Sequence, residues 1–168
     1  MTNAPACIFC ERHGRWAAAF RRETAASRLA LIETRSFADA WHELARRPGS
    51  FLVLELTPGS ADRLFRRLIR LEREHPTARA ALVAARSMVD FGDWARELGA
   101  VWFTTSPREM APLVAIARRR LAEAPAPALS FAEQIWASLP WPRAAGGSLR
   151  RARARPRNEP PQDPKEHA

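Results

Sequence analysis

Two glutamates lie in or just after short apolar runs, where their carboxylates could take part in binding. Glu11 follows "ACIFC", and Glu55 lies in "FLVLEL", shortly before the turn at Pro58-Gly59. In an open parallel sheet, ligands bind outside the carboxyl ends of the strands. We therefore expect Glu11 and Glu55 to gather at that edge, together with Ala84 and Ser106 from later runs.

Two cysteines, Cys7 and Cys10, form a Cys-x-x-Cys pair with His13 three residues on. A zinc site needs four ligands, and the other three histidines lie far along the chain without a second cysteine pair. A thioredoxin-like redox pair opens a helix, whereas both cysteines here lie within a predicted strand. We interpret them as small buried core residues, and we predict no metal and no cofactor.

Motifs for catalysis and for nucleotide binding are absent from the sequence. Neither a dinucleotide-binding glycine pattern nor a Walker pattern occurs. No Ser, His and acidic residues sit in a nucleophile-elbow context. The sequence therefore predicts no catalytic residues and a protein that is not an enzyme.

The net charge of +9 would usually indicate an anionic partner such as nucleic acid or a membrane surface. Lys165 is the only lysine, so nearly all of the positive charge is arginine, in a chain also rich in alanine and proline. GC-rich codons encode all three residue types, so mutational bias alone could supply much of this charge. No apolar run approaches the roughly 20 residues of a membrane span, and the N-terminus lacks the features of a signal peptide. We expect a cytoplasmic protein without membrane contact.

Short apolar runs alternate with amphipathic stretches five times between residues 6 and 124. Such β-α units specify an α/β fold with a five-stranded doubly wound parallel sheet. Ser36 is predicted to cap the second helix, and Gly92 to interrupt the fourth. Inward-facing positions are predicted from their helical spacing: Trp16, Ala19 and Phe20; Leu64, Phe65, Leu68 and Ile69; Met110, Leu113, Val114, Ala117 and Leu121.

Beyond residue 124 the composition changes twice. Residues 125–142 read as a proline-rich linker and a short amphipathic helix, in which Ser130 and Glu133 form a capping-box pattern. Residues 143–168 are rich in arginine and proline with little to bury, which predicts disorder. The helix could pack on its own domain or dock in a partner. Its apolar residues are Phe131, Ile135, Trp136, Leu139 and Trp141.

The five units, with "LELTPG" and "GAVWFTTSP", resemble the receiver domain of bacterial response regulators, which has a flavodoxin-like fold. The resemblance implies that Glu55 stands at the phosphorylated aspartate, although a strict spacing to Pro58 would place Leu54 there. It also implies that Phe103 is the switching aromatic and Glu11 the surviving member of an acidic pair. Ser106 falls at the usual lysine, and Ala84 falls where a threonine or serine is expected.

These departures weaken phosphoryl transfer, which needs a divalent ion and a cation that offsets charge on the transferred group. Glutamate also reaches one methylene further than aspartate. The resemblance thus implies a degenerate phosphoacceptor pocket, in a pseudo-receiver that acts as a signalling or scaffold module through protein–protein contact. An active phosphoacceptor remains a further alternative. In receivers the output face is built from the fourth helix, fifth strand and fifth helix, which implies Trp94 and Trp102 as partner-binding residues.

A second hypothesis comes from a different class of function. The protein could associate with nucleic acid through its arginine-rich tail, with steep loss of binding as salt rises. The arginines concerned are Arg150, Arg151, Arg153, Arg155 and Arg157.

Overall fold

Five β-α units form one parallel sheet with helices on both faces, as the sequence predicts. The computed structural model of the chain describes residues 3–26 and 29–124. The strand order is β2-β1-β3-β4-β5, and every pairing is parallel. A 3-10 helix, Arg86–Phe91, precedes α4. The elements in chain order are β1 (Cys7–Cys10), α1 (Arg15–Glu23), β2 (Leu31–Thr34), α2 (Phe37–Arg46), β3 (Phe51–Leu56), α3 (Ala61–Glu74), β4 (Arg79–Ala84), α4 (Gly92–Glu97), β5 (Ala100–Thr104) and α5 (Met110–Glu123).

The sheet separates two hydrophobic clusters. Phe9, Phe51 and Val53 belong to the cluster that includes α1 and α5, whereas Leu52 and Leu54 belong to the cluster that includes α2, α3 and α4. Because β3 pairs on both edges and is covered on both faces, nearly all of its side chains are buried. This explains why "FLVLEL" is a continuous apolar run rather than an alternating one.

Local signals position the second helix as predicted. The Ser36 hydroxyl accepts a hydrogen bond from the Asp39 backbone N–H at 3.1 Å, which caps α2. Only Arg35 and Ser36 separate the end of β2 from the start of α2. The first turn of α2 therefore lies at the carboxyl edge of the sheet. The same edge carries the residues that follow β1 and β3.

Two predicted details differ from the structure, whereas the half-buried Leu121 packs against the cluster of α1 and α5 as predicted. Ile69 is 63% exposed, because the buried stripe of α3 runs through Leu64, Leu68 and Leu71 instead. Gly92 does not interrupt a helix but begins α4, where a 3-10 helix gives way to an α-helix.

No helix among residues 3–26 and 29–124 is both long enough and apolar enough to cross a membrane. The segments predicted as a linker with a short helix (125–142) and as a tail (143–168) lie outside the described residues. So do the apolar side chains of that helix and the five arginines of the tail.

Candidate functional site

The carboxyl ends of β2, β1 and β3 surround a depression of about 260 Å³, here called the carboxyl-end pocket. Three connections contribute to it: the one after β1, the one after β2, and the one after β3 that leads into α3. The pocket is lined by Cys10, Glu11, Arg12, Arg35, Ser36, Phe37, Ala38, Glu55, Thr57, Ser60, Arg63 and Arg67.

Glu11 is fixed by the backbone of the first helix. Its Oε2 accepts a hydrogen bond from the Trp16 N–H at 2.9 Å, and its Oε1 accepts one from the Ala17 N–H at 2.7 Å. Gly14, the N-cap residue, has a φ of 74° and no side chain with which to cap the helix. The buried Glu11 carboxylate therefore satisfies two N–H groups that the first turn of α1 leaves without intrahelical partners.

Glu55 is the acid of β3 that reaches the pocket. Its Oε2 accepts a hydrogen bond from the Arg12 N–H at 2.8 Å, and its Oε1 lies 3.8 Å from Nη2 of Arg15. The neighbouring Leu54 is fully buried in the core. Of the two residues that the spacing to Pro58 left open, only Glu55 lines the pocket.

The other residues predicted for the phosphoacceptor pocket lie at or just beyond the carboxyl ends of β4 and β5 and do not line the carboxyl-end pocket. Ala84 closes β4 and is fully buried. Phe103 is 9% exposed and packs against α4, where a methyl group built on Gly92 would lie 3.1 Å from its ring. Ser106 is held by local hydrogen bonds: its N–H donates to Thr104 Oγ1 at 3.1 Å, and its Oγ accepts from the Arg108 N–H at 3.3 Å.

Four arginines line the pocket, and sequence reasoning did not single them out. Arg12 follows β1, Arg35 follows β2, and Arg63 and Arg67 lie one turn apart in α3. Against them stand Glu11 and Glu55, so four positive and two negative side chains give the lining a formal charge of +2. A signal was available, because Arg12 and Arg35 directly follow predicted strand ends that must converge.

Aromatic rings hold two of these arginines in place. The guanidinium of Arg63 lies over the Phe37 ring at 5.3 Å, and that of Arg67 lies over the Trp41 ring at 4.8 Å. Arg35 donates to the Glu11 carbonyl oxygen and to a Glu33 carboxylate oxygen, both at 3.2 Å. The pocket is therefore a positively charged site with ordered donors, unlike an acidic metal site.

Metal-binding clusters are absent from the described ranges, 3–26 and 29–124: no group of three or more His, Cys, Asp and Glu residues could hold an ion there. The prediction that both cysteines are buried core residues is confirmed, since Cys7 is 0% and Cys10 is 5% exposed. They belong to the two clusters on opposite faces of the sheet. Burial raises the pKa of both thiols, so neither offers a thiolate at neutral pH.

The two tryptophans predicted as partner-binding residues differ in exposure. Trp94, in α4, is 64% exposed, and Val89 nearby in the 3-10 helix is 56% exposed. Trp102 is only half-buried in β5, next to a bulge in which Val101 is the extra residue, since Ala80 pairs with Ala100 and Ala81 with Trp102. The segment from Arg86 to Glu97 thus presents two large apolar side chains to solvent.

Comparison with protein-family models gives no match, and comparison with curated proteins gives none either. Solved structures do match. A response regulator from Thermotoga maritima has a TM-score of 0.60 at 14% identity, covering 71% of this chain and 99% of that chain. An orphan response regulator of H. pylori has a TM-score of 0.56 at 15% identity, covering 72% and 99%.

The receiver domain of nitrogen regulatory protein C has a TM-score of 0.54 at 20% identity, covering 73% of this chain and 98% of that domain. Similarities at such low identity establish the fold, which is that of response-regulator receiver domains. They leave the chemistry to be argued from the residues of this chain.

Proposed function

We propose that this chain is a pseudo-receiver: a non-enzymatic signalling or scaffold module that binds a protein partner and does not accept a phosphoryl group. The observation that carries the proposal is the state of Glu11. Its two carboxylate oxygens accept hydrogen bonds from the first turn of α1. The carboxylate that would hold a metal in a phosphorylatable receiver is thus engaged in capping α1.

The surrounding charge also disfavours a divalent cation. Mg²⁺ requires near-octahedral oxygen coordination, supplied by carboxylates, substrate oxygens and water. In the carboxyl-end pocket an ion would face four arginines, and like charges at short range repel strongly at the edge of a protein. Without the ion, no metal bridges an incoming phosphodonor and the Glu55 carboxylate.

The end of β5 lacks the cation that the receiver pattern places there. Ser106 occupies that position, and its hydroxyl serves the backbone of Arg108. The arginines of the pocket come from the opposite side, after β1 and β2 and from α3. They do not replace a lysine at the end of β5. The proposed lack of phosphorylation therefore rests on two missing groups, the metal ion and the cation after β5.

An exposed apolar surface supports the partner-binding half of the proposal. Trp94 lies in α4, which belongs to the output face in receivers, and Val89 lies in the 3-10 helix just before it; both are more than half exposed. Exposed tryptophan is costly in water and is enriched at the energetic centres of protein interfaces. Trp102 and the apolar residues of the segment 130–141 are proposed to extend this surface.

Site-specific photo-crosslinking tests the interaction in cells. A photoreactive amino acid is placed at Trp94 in one variant and at Ile69 in a matched control, which is equally exposed but lies on α3. We expect one discrete crosslinked protein from position 94 and none from position 69. Equal products from both positions, or none from either, would contradict an interface on α4.

Incubation with acetyl phosphate and Mg²⁺, followed by intact-mass measurement, tests the second part of the proposal, that the chain accepts no phosphoryl group. We expect no added phosphoryl group, with a phosphorylatable receiver domain as the positive control. A phosphoryl group on Glu55 would overturn the proposal.

A further inference from the structure

We infer that the carboxyl-end pocket binds a small anion carrying a terminal phosphate, held non-covalently by arginine side chains and without a divalent cation. This goes beyond the pseudo-receiver proposal, which requires only that no phosphoryl group is transferred to the protein. The same edge of the sheet that binds a cation in an acidic site would here bind an anion.

The positive charge of the pocket is largely uncompensated. Glu11 is engaged by α1, and Glu55 is engaged by the Arg12 N–H and by Arg15 outside the pocket lining. Within residues 3–26 and 29–124, the guanidinium groups of Arg12, Arg63 and Arg67 have no carboxylate within ion-pair distance. These three groups are therefore available to an external anion.

Stacking arranges two of the donors before any ligand arrives. A guanidinium that lies over an aromatic ring keeps its N–H groups, which point outward in the guanidinium plane, free for hydrogen bonds. Arg63 over Phe37 and Arg67 over Trp41 have this arrangement. Because the two side chains are one turn apart on α3, they can meet the oxygens of a phosphate in the bidentate manner that guanidinium favours.

The position within the sheet also favours a phosphate. In the order β2-β1-β3-β4-β5 the topological switch point falls between β1 and β3, where doubly wound folds bind ligands. The first residues of α2, Phe37 and Ala38, line the pocket with the capping Ser36. Their N–H groups belong to the positive end of the helix dipole, which adds to the attraction for an anion.

The volume limits the ligand. At about 260 Å³ the pocket is slightly smaller than the roughly 300 Å³ at which small-molecule sites usually begin. It accommodates a phosphate with a modest organic group and excludes a fully enclosed dinucleotide. The ligand class is therefore inorganic phosphate, pyrophosphate or a small phosphate ester.

NMR titration of the full-length chain tests the inference in metal-free buffer at constant ionic strength. The probes are inorganic phosphate, pyrophosphate and adenosine monophosphate, which separate a free phosphate from an esterified one. We expect saturable amide shifts at Arg12, Ser36, Phe37 and Ala38 with at least one probe. No saturable shift in these residues, or shifts that require Mg²⁺, would overturn the inference.

Two matched double variants separate a site from general attraction to a basic helix. Arg63→Gln with Arg67→Gln removes two pocket arginines, whereas Arg66→Gln with Arg70→Gln removes the same charge from α3 outside this pocket. We expect the first pair to weaken binding roughly tenfold or more and the second by roughly twofold or less. Equal weakening by both pairs would overturn the inference.

The variant Arg12→Gln is a further test in case the Arg63→Gln and Arg67→Gln protein does not fold. It keeps the backbone N–H that donates to Glu55, and it disturbs no aromatic stacking. We expect it to weaken phosphate binding while leaving the thermal unfolding midpoint unchanged. Undiminished binding by a folded Arg12→Gln protein would overturn the assignment of the ligand to this pocket. Anion binding without metal and phosphorylation with metal are separate readouts, so either proposal can fail alone.

Discussion

At the scale of single residues, the informative position is Glu11. The resemblance to receivers would make an acidic residue after the first strand a metal ligand. In the structure its carboxylate instead caps α1, because Gly14 supplies no capping side chain. The same residue type thus serves helix stability where a working receiver would use it for cation binding.

Replacing Glu11 by alanine should lower the free energy of unfolding by about 1–3 kcal/mol, since two buried N–H groups lose a charged acceptor. Glu11→Gln keeps one carbonyl oxygen and should cost less. Urea denaturation of the three proteins measures the difference. An Ala variant as stable as the parent would show that water replaces the carboxylate at no cost.

The buried thiols give a prediction on pH. Burial raises the pKa of Cys7 above its ordinary value of 9.0, so the folded state favours the neutral thiol. The resulting stabilisation is fully present below pH 9 and is lost as pH rises above it, because only the unfolded chain then ionises. Unfolding midpoints measured from about pH 8 to about pH 11 should fall, and Cys7→Ala should flatten that fall. An identical slope in the variant would rule out this thiol as its cause.

At the scale of elements, α3 shows where periodicity misleads. Leu68 and Ile69 are adjacent apolar residues, and helical spacing from Leu64 and Phe65 makes both seem to face the core. Leu68 is 4% exposed, whereas Ile69 points to solvent. Sequence could not distinguish them, because only the angle at which α3 crosses the sheet decides which edge of a wide apolar stripe is covered.

This pair offers a matched test on one helix. Leu68→Ala should cost about 2–5 kcal/mol of unfolding free energy, because it leaves a cavity in the core. Ile69→Ala should change stability by about 0.5 kcal/mol or less, as is usual for exposed positions. Chemical denaturation of both variants checks the assignment, and comparable losses would mean that Ile69 is covered.

At the scale of the whole molecule, the sheet was predictable because its signals are redundant. Five apolar runs, the turns between them and the handedness of β-α-β crossovers all agree on one topology. The pocket was less predictable: Glu55 could be placed from its strand, but Arg12, Arg35, Arg63 and Arg67 look like ordinary solvated charge in an arginine-rich chain. That they line one pocket depends on the convergence of three connections, which only the folded sheet produces.

The most direct test of the pseudo-receiver account is titration with Mg²⁺ and beryllofluoride, a mimic of an acyl phosphate, followed by NMR of backbone amides. We predict no concerted shift of the resonances around Glu11, Glu55 and Phe103 that depends on Mg²⁺, because we propose that no metal is bound and the Glu55 carboxylate is already engaged. An anion held by the arginines would shift Arg12 and Ser36 with or without Mg²⁺ and would leave Phe103 in place. Concerted shifts around Glu11, Glu55 and Phe103 that require Mg²⁺ would show a pocket that still binds and switches. That result would contradict the account.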